Sequence, residues 1–582
     1  MSQTIPHAFR EIAVRMSTSQ ALGQIRDGTV QSQTWEAYWT QCCTFAKALH
    51  ALSFPPGSRI GILSANRCEW LIANLGSILA GHVPFGIYPT ASSEQITYLL
   101  QHSEAKLLVI ESDALRQQVQ GDVVLVQMNP VEEKNGPACI AWDSFLEKSS
   151  DVSEATLQAG MDAQRPSDLA TLVYTSGTTS NPKAVMLSHQ NLLWTTHTAM
   201  EMTFCLEAED VVLSYLPLSH IAEQLNSLYA PLLSGAQVVV VEDLTRLPQA
   251  LALVRPTFFI GVPRVWEKIQ NKITSQVEKA PAWKRRLFAM AQRIGKRETT
   301  ARQAGKQPSL GFLLMDRLVY RKARTNMGLD RCRLPVTGAA PIRPDTVDFF
   351  LGLNLPLYEV YGMSECTGPA TVSVPGIYKP GFAGKPIPGT EVQIASDGEI
   401  LMRGTHVCMG YLHDTASFPV DEEGWLHSGD LGSLDAEGFL RIEGRKKNII
   451  ITAGGENISP EMIETQVSKI QGIEHAVVIG DQRKHLSLLL TLDTEMAKLQ
   501  AVRHGSTAQS RTELAHCPKL RAYFETEIGK VNTKLSRVQT LKRFRILDRE
   551  FCETTGELTP TQKIKRAIIE RNCKQEIEGL YM

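Results

Sequence analysis

Short, almost unbroken apolar runs alternate with helical patterns along the first half of this chain. The runs are bounded by turn residues, as expected for parallel strands buried on both faces, and they span 58–65, 105–112, 169–177, 236–243 and 257–263. Helical periodicity separates them, for example over 266–279 and 283–299. This alternation predicts an α/β lobe built on doubly wound sheets.

The pattern changes twice in the second half of the chain. From about residue 355 to 443, glycines and turn signals are dense and the predicted strands are short, which indicates a β-rich subdomain. At 444–448 the pattern restarts as strand, turn, helix and strand, with Ser459 as the expected N-cap and Pro460 at the first helical position. We therefore predict a large N-terminal lobe over 1–443 and a small α+β C-terminal domain over 448–582.

Composition excludes several classes of protein. The 60 Lys and Arg nearly balance the 61 Asp and Glu, which argues against a dedicated nucleic-acid binder. The 11 cysteines form no CxxC pair, so metal-ligand spacing is absent and the reduced thiols of a cytosolic protein are expected. The sequence shows no signal-peptide core, no apolar run of membrane-spanning length and no amphipathic anchor, so a cytoplasmic protein is predicted.

The segment YTSGTTSNPKAVMLSH (174–189) has the composition of a phosphate-binding loop. A predicted strand enters a loop of Thr, Ser and Gly, which is followed by Lys183 and then by a helix capped near Ser188. Small hydroxyl residues and glycine let backbone N–H groups approach phosphate oxygens. The segment lacks the GxxxxGK[ST] pattern of a Walker A loop. On these residues alone, a polar surface loop is an equally good interpretation.

Three later segments carry side chains that suit a nucleotide site. TGAAP (337–341) forms a small-residue turn against which a flat ring could lie. EVYGMSECTG (359–368) places Tyr361 four residues before Glu365, a carboxylate of the type that Mg²⁺ prefers. WLHSGDLG (425–432) places Asp430 in a tight turn, where it could accept hydrogen bonds from ribose hydroxyls. Taken singly, each segment also fits an ordinary turn or cap.

Taken together and in order, these segments resemble the acyl-adenylate-forming (AMP-binding, ANL) superfamily, from about residue 30 to the end of the chain. Within it the chain is most similar to long-chain acyl-CoA synthetases of the bubblegum-type branch, through segments 254–270, 450–464 and 541–566. The superfamily motifs present are the loop at 174–183, LPLSH (216–220), TGAAP (337–341), YGMSE (361–365), HSGD (427–430), GRKKNIIITAGGENISP (444–460) and GELTPTQKIKR (556–566).

The resemblance implies a two-step reaction that uses ATP, Mg²⁺ and CoA. A fatty-acid carboxylate attacks the α-phosphate of ATP to give acyl-AMP and pyrophosphate, and the thiol of CoA then displaces AMP. The implied partners are a fatty acid, ATP and CoA, without nucleic acid. Because long-chain acids partition into bilayers, peripheral contact with the inner membrane surface is compatible with a cytoplasmic location. The acyl chain length and the oligomeric state are not predicted.

The resemblance also assigns roles to individual residues. The catalytic set comprises Lys563, Thr178, Glu365 and His220, with Glu365 as the Mg²⁺ ligand and Lys563 bridging the acyl carboxylate and the α-phosphate. A hinge at 444–447, centred on Lys447, would let a mobile C-terminal domain pivot, and Gly454 and Gly455 would then face the CoA channel. The nucleotide-binding set comprises Thr175, Ser176, Gly177, Thr178, Thr179, Lys183, Gly338, Ala339, Ala340, Tyr361, Gly362, Ser364, Asp430 and Arg445.

Two positions depart from the family pattern and keep alternatives open. Ser180 and Ala184 stand where the family usually has glycine, so a strained loop is expected if a lost glycine takes a positive φ. One alternative is a degenerate nucleotide- or acyl-binding protein. The other is an acyl-AMP ligase that loads the phosphopantetheine of a carrier protein; the uninterrupted run from 441 to 464 disfavours it, since such ligases usually carry an insertion there.

Overall fold

The computed structural model of the protein describes residues 3–132, 136–175, 182–203, 206–303, 305–454, 456–559 and 563–582. The predicted α/β class is confirmed: a large N-terminal lobe with a β-rich part is followed by a smaller C-terminal domain. Within these residues, no helix is both long and apolar enough to span a bilayer.

Strands and helices are numbered in chain order. The strands are β1 (Gln20–Arg26), β2 (Thr29–Thr34), β3 (Arg59–Leu63), β4 (Val83–Ile87), β5 (Leu107–Ile110), β6 (Val124–Gln127), β7 (Ile140–Ala141), β8 (Leu169–Thr175), β9 (Lys183–Ser188), β10 (Val211–Ser214), β11 (Gln237–Val240), β12 (Phe258–Gly261), β13 (Leu334–Gly338), β14 (Tyr358–Met363), β15 (Gly368–Val372), β16 (Lys385–Pro386), β17 (Thr390–Ile394), β18 (Glu399–Gly404), β19 (Gly410–Tyr411), β20 (Leu426–Leu434), β21 (Leu440–Arg445), β22 (Ile450–Ile451), β23 (Asn457–Ile458), β24 (Ile473–Ile479), β25 (Leu486–Leu492) and β26 (Leu541–Ile546).

The α-helices are α1 (Ile5–Arg15), α2 (Trp35–Ala51), α3 (Cys68–Leu79), α4 (Ser93–Ser103), α5 (Asp113–Arg116), α6 (Trp142–Glu147), α7 (Glu154–Ala163), α8 (His189–Met202), α9 (Ile221–Gln224), α10 (Ala230–Ser234), α11 (Leu247–Val254), α12 (Pro263–Glu278), α13 (Ala282–Gln303), α14 (Leu310–Met315), α15 (Arg321–Met327), α16 (Pro344–Leu351), α17 (Pro460–Val467), α18 (Thr494–Arg503), α19 (Arg511–Ala515), α20 (Pro518–Asn532), α21 (Arg566–Asn572) and α22 (Lys574–Glu578). A π-helical turn over Asp316–Tyr320 joins α14 to α15.

Two large sheets form the core of the N-terminal lobe. The first has the order β16-β15-β14-β13-β12-β10-β11-β1-β2, and its strands from β14 to β1 run parallel. The second has the order β19-β9-β8-β4-β3-β5-β6-β7 and is parallel from β8 to β7. In sheets of this kind, ligands bind beyond the carboxyl ends of the parallel strands.

The β-rich part and the C-terminal domain each have a sheet of their own. Antiparallel strands β17, β18, β20 and β21 form the former, and β24, β25 and β26 form the latter. Each hydrophobic cluster among the described residues lies wholly before or wholly after the predicted hinge at 444–447. The exact domain boundary and the mobility of the C-terminal domain stay predictions.

Local structure differs from the sequence-based expectation at two places. Lys183 does not lead directly into a helix; it begins strand β9, which pairs antiparallel with β8 and ends at the cap of α8. Ser188 caps α8 as expected, accepting from Asn191 N at 3.0 Å. Ser459 precedes α17, but its hydroxyl donates to the carbonyl of Glu443 instead of capping the helix.

Candidate active site

Lys183 lies at the start of β9 among side chains that the sequence analysis did not single out. Its Nζ is 3.3 Å from Asp414 Oδ2 and donates a hydrogen bond to Ser417 Oγ. The same ammonium lies 4.8 Å from the centre of the Tyr411 ring. The exchangeable partners and the partial exposure of Lys183 leave its charge available to an anion.

Ala184 is one of the two positions at which a missing glycine was expected to strain the loop. It is fully buried and pairs with Tyr174 in the regular ladder between β8 and β9. It is absent from the residues with a positive φ, so the missing glycine introduces no strain there. Ser180, together with the predicted site residues Ser176, Gly177, Thr178 and Thr179, lies outside the described residues.

Glu365 connects to Lys183 through Tyr411. Glu365 is buried in a 3₁₀ turn, Ser364–Cys366, and its Oε1 accepts from the Tyr411 hydroxyl at 2.8 Å. Within the described residues, no other hydrogen bond or ion pair engages its carboxylate. A single carboxylate with an uncommitted oxygen fits Mg²⁺, which uses one or two protein carboxylates and takes further oxygens from phosphate and water. The described residues contain no cluster of three or more His, Cys, Asp or Glu suited to a fully protein-bound metal.

The Gly338–Ala340 turn and Tyr361 lie on neighbouring parallel strands. Gly338 ends β13 and pairs with Val360, next to Tyr361 in β14. Ala339 follows with φ of +69° and is exposed. A non-glycine residue in this region costs on the order of 1 kcal/mol, and such strain concentrates at ligand-binding sites. The two segments therefore lie side by side on neighbouring strands.

Gly362 is required by the close approach of two backbones. A Cβ at this position would lie 1.7 Å from the carbonyl oxygen of Gly368, where β14 and β15 pair through an irregular register. The Gly368 oxygen belongs to the backbone, so no rearrangement of a neighbouring side chain can relieve the clash.

We expect Gly362→Ala to lower the free energy of unfolding by about 3 kcal/mol or more, because the substitution overpacks a backbone contact. Chemical denaturation followed by tryptophan fluorescence measures this. The matched control is Gly529→Ala, since Gly529 has no positive φ and has open space around its Cβ position. Equal losses in the two variants would contradict the steric explanation.

Asp430 joins Tyr361 and Arg445 in one network. The Tyr361 hydroxyl donates to Asp430 Oδ2 at 3.0 Å, and Arg445 Nε lies 3.0 Å from Asp430 Oδ1. The backbones of Asp430 and Arg445 also pair between β20 and β21. Burial raises the pKa of Asp430, while the Arg445 cation and the Tyr361 hydroxyl oppose that rise.

The C-terminal domain contributes Lys563 to this network. The pKa of Lys563 is lowered to about 8, chiefly by burial and then by Arg445, while the Asp430 and Glu365 carboxylates oppose the change. No hydrogen bond or ion pair holds the Lys563 ammonium to any residue that the structure describes. Its backbone is held by reciprocal bonds with Thr559, whose N–H donates to Lys563 O at 2.8 Å. The Lys563 ammonium is therefore a cation of the C-terminal domain that is available to bind an anionic ligand.

His220 also faces Lys563. It is the N-cap of α9, and its Nδ1 accepts from Ala222 N at 3.2 Å. Burial and then the Lys563 charge lower its pKa to about 4, so the ring is neutral at pH 7. Because Nδ1 is the acceptor, the remaining proton resides on Nε2.

A cavity of about 1130 Å³ begins beside His220. Its lining includes Ser64, Pro89, Tyr215, Val241 and Val262, which follow the carboxyl ends of β3, β4, β10, β11 and β12, and Ser219, the residue before His220. Further out it runs between α11, α12, α13 and α15. Most of the outer lining is aliphatic or aromatic, so the cavity suits a long apolar chain.

Glu223 is a buried carboxyl on α9 that sequence analysis missed. Its Oε1 accepts from Ser227 Oγ at 2.5 Å, and burial raises its pKa to about 8. The carboxyl is therefore largely neutral at pH 7. Between pH 4.5, the usual glutamate value, and pH 8, the unfolded chain releases this proton while the folded protein keeps it. The free energy of unfolding is therefore undiminished below pH 4.5 and decreases as the pH rises toward 8.

Glu223→Gln should remove this pH-dependent loss, because an amide cannot ionise. We expect the variant to exceed the wild type in stability by on the order of 3 kcal/mol at pH 8 and to show no gain at pH 4.5. Thermal denaturation between pH 4.5 and 8.5 checks this, with Glu209→Gln on the exposed turn before β10 as control. A difference that does not vary with pH would contradict the assigned protonation state.

Within the described residues, no hydrogen bond or ion pair links the remaining predicted residues to Asp430, Arg445 or Lys563. Gly454 lies in an exposed turn between β22 and β23, where a Cβ would make an ordinary contact of 3.7 Å with Thr452 Oγ1, and Gly455 is outside the described residues. Lys447 is exposed in the 3₁₀ turn after β21, and Ser364 lies beside Glu365. Thr175 ends β8, and its hydroxyl lies 3.5 Å from the carbonyl of Lys183. These roles stay predictions.

Family comparison matches both parts of the chain. A model described as AMP-binding enzyme matches residues 9–412, and one described as AMP-binding enzyme C-terminal domain matches 447–582. The chain belongs to the AMP-binding enzyme family. It is 37% identical to the long-chain-fatty-acid–CoA ligase ACSBG2 of Xenopus laevis, over 99% of this chain and 84% of that protein. It is 36% identical to the long-chain-fatty-acid–CoA ligase FadD15 of Mycobacterium bovis, over 95% of this chain and 93% of that one.

Solved structures of this AMP-binding enzyme's relatives share its fold at low identity. The anthranilate CoA ligase AuaEII in complex with anthranoyl-AMP superposes with a TM-score of 0.75 at 16% identity, covering 100% of this chain and 98% of that one. The o-succinylbenzoate CoA synthetase MenE of Bacillus subtilis, in complex with ATP and magnesium ion, gives 0.68 at 21% identity, covering 97% and 99%.

Proposed function

We propose that the protein is an AMP-forming ligase that activates long-chain fatty acids and transfers them to CoA. The observation that carries this proposal is the electrostatic contact of Lys563, from the C-terminal domain, with the Asp430–Arg445 pair and with His220. Ser219, the residue before His220, lines the apolar cavity. The ligases ACSBG2 and FadD15, similar over nearly the whole chain, support the long-chain substrate.

In the first half-reaction, a carboxylate oxygen of the fatty acid attacks the α-phosphorus of ATP, and pyrophosphate leaves. The acyl tail lies in the cavity, and its head points past Ser219 toward Lys563. The Lys563 ammonium then stands between two anions that would otherwise repel each other, the acyl carboxylate and the α-phosphate. Lys183 meets the outer phosphates. Positioning and charge neutralisation of this kind provide most of the rate enhancement in phosphoryl chemistry.

Magnesium fits beside Glu365, whose uncommitted carboxylate oxygen provides the protein ligand. When bound, the ion neutralises phosphate charge and favours departure of pyrophosphate. Tyr411 orients Glu365 through its hydroxyl and offers its ring to Lys183, so this side chain sets the spacing between the carboxylate and the ammonium. Adenine and ribose are assigned to the space between the Gly338–Ala340 turn, Tyr361 and Asp430.

In the second half-reaction, the CoA thiol loses its proton to solvent, its sulfur attacks the acyl carbonyl carbon, and AMP leaves with the bonding electrons. The C-terminal domain is proposed to pivot at 444–447, moving Lys563 away and turning Gly454 toward the thiol channel. His220 stays at the acyl head as a neutral group with Nε2–H available to the carbonyl oxygen. The direct passage from β21 to β22 within twelve residues supports CoA as acceptor, because no inserted segment separates the two parts.

The pH dependence of the first half-reaction should report Lys563. Since the ammonium is the active form and its pKa is about 8, kcat/KM for ATP is expected to fall above pH 8, about tenfold per pH unit. Pyrophosphate release with saturating palmitate, measured from pH 6.5 to 9.5, checks this. A profile that stays flat to pH 9.5 would contradict the assignment.

One assay distinguishes the proposed activity from the two alternatives. Purified protein receives ATP, Mg²⁺ and palmitate, with and without CoA, while pyrophosphate and palmitoyl-CoA are measured. The proposal expects both products when CoA is present. Pyrophosphate without thioester would favour transfer to a carrier protein, and no pyrophosphate with acids of 8 to 24 carbons would favour a degenerate binding protein.

A further inference from the structure

The helical hairpin formed by α13 and the continuous α14–α15 segment presents leucines to solvent. Leu310, Leu313, Leu314 and Leu318 are 86%, 51%, 53% and 50% exposed. Their spacing places them on one face, because residues three, four and eight positions apart align along a helix. Phe312, Met315 and Tyr320 occupy the opposite, buried face. Soluble surfaces rarely gather large apolar side chains in this way without a partner.

The same hairpin is strongly basic. Residues 281–324 contain 12 Lys and Arg against 2 Asp and Glu, although residues 1–443 as a whole carry a net charge of −7. Ion pairs within or near the hairpin engage Lys296, Arg297 and Arg324. Among the described residues, no acidic side chain forms an ion pair with Lys284, Arg285, Arg286, Arg293, Arg317, Arg321 or Lys322.

The two arms of the hairpin lie antiparallel. Glu298 of α13 accepts from Ser309 N at 3.1 Å, just before α14, and the Tyr320 hydroxyl donates to Ala291 O at 2.7 Å. Trp283 and Met290 add exposed apolar surface on α13, 63% and 45% exposed. Exposed apolar and exposed basic side chains therefore occur together along both arms of the hairpin.

The cavity opens beside this surface. Its outer lining includes the exposed side chains Lys268 and Lys272 of α12, Lys284 of α13, and Leu318 and Lys322 on the second arm. Leu318 thus belongs both to the exposed leucine face and to the rim of the cavity. A chain-shaped apolar molecule that leaves the surface at this point enters the cavity without crossing open water.

We infer that this hairpin docks on an anionic phospholipid bilayer, with its leucines and Trp283 at the headgroup–acyl boundary and its Arg and Lys on lipid phosphates. Amphipathic helices with this division of residues bind membranes through apolar burial and attraction to anionic lipid. A symmetric contact between two copies would bring the unpaired cations together, and a nucleic acid would leave the leucines in water. The further step, entry of fatty acid from the bilayer into the cavity, rests on the proposed function; docking does not.

Vesicle co-sedimentation tests the docking. Vesicles of phosphatidylcholine alone are compared with vesicles containing 30% phosphatidylglycerol, at low salt and in 0.5 M NaCl. We expect the wild type to bind the anionic vesicles at least tenfold more tightly, with loss at high salt. L310S/L313S/L314S and R285Q/R286Q/R293Q/R317Q should each weaken binding at least tenfold. The matched control, V502S/V538S/R521Q, replaces exposed residues of the C-terminal domain and should bind as the wild type does.

The proposal is overturned if the wild type binds both vesicle types equally or binds neither. It is also overturned if the two hairpin variants bind anionic vesicles as tightly as the wild type does. Leucine-dependent dimerisation without vesicle binding would assign this face to a second copy instead. Activity separates this result from the proposed function. Both hairpin variants should form palmitoyl-CoA at wild-type rates from albumin-bound palmitate and more slowly from vesicle-embedded palmitate. If the wild type and both variants form no palmitoyl-CoA from either source, the proposed ligase activity is refuted, whereas the vesicle-binding result still stands.

Discussion

Replacing Lys563 by alanine is expected to lower the rate of pyrophosphate formation about 10³-fold, the loss typical of removing one preorganised charge from a transition state. The reason is the proposed position of this ammonium between the acyl carboxylate and the α-phosphate. Thioester formation from supplied palmitoyl-AMP should stay within about threefold of the wild type, because the proposed pivot moves Lys563 out of the site before the second half-reaction. The two rates are measured separately on the same preparation.

Lys565→Ala provides the matched control for Lys563→Ala. Lys565 lies two residues away and its backbone N–H bonds to Glu557 O, so the substitution preserves the local fold. It should leave both half-reactions unchanged. Equal losses of both half-reactions in Lys563→Ala would refute the assigned role and indicate a structural one.

Asp430→Asn is expected to raise KM for ATP about 50-fold, since a hydrogen bond to a charged group contributes about 1.5–3 kcal/mol. It should also move the alkaline limit of the first half-reaction below pH 8, because the Asp430 charge opposes the lowering of the Lys563 pKa. Initial rates over a matrix of ATP concentration and pH give both quantities. The change in the alkaline limit distinguishes electrostatic coupling between Asp430 and Lys563 from a simple loss of ATP binding.

Asp435→Asn serves as control for Asp430→Asn, because Asp435 lies in the turn of the same β20–β21 hairpin and pairs with Lys379 at 2.6 Å. It should change neither KM nor the pH profile. An Asp430→Asn enzyme with an unaltered alkaline limit would show that the two side chains act independently.

The sequence predicted the framework well where the signal was local. All five apolar runs contain strands, and strands are dense after residue 355. The strands β14, β15 and β16 nevertheless complete the first large sheet, so the separate antiparallel sheet begins only at β17. The boundary near residue 444 stays a prediction. The short strand β9 was missed, because Lys183 and Ser188 make its ends polar. Its pairing with β19 joins residues more than 220 positions apart, and no local pattern encodes such a contact.

The same limit applies to the site. Motif order predicted Tyr361, Asp430, Arg445 and Lys563, and the structure brings these four together. The partners of Lys183 were not predicted: Tyr411, Asp414 and Ser417 act through tertiary contact alone, although a glycine, an aromatic and an acid in MGYLHD (409–414) gave a weak signal. The cavity was equally hidden, since its wall is assembled from strand ends and helices of separate segments.

The contacts between α12 and the C-terminal domain have a thermodynamic consequence. They are an ion pair of Arg264 with Glu474, an amide bond of 2.9 Å from Asn271 to Asp493, and an ion pair of 2.6 Å between Glu278 and Arg503. Water can replace each of them, whereas the apolar cores on either side stay closed. The proposed pivot would therefore expose little apolar surface, so its heat-capacity change should be small. Added salt, which screens these ion pairs, should shift the population of the two proposed domain arrangements more strongly than temperature does.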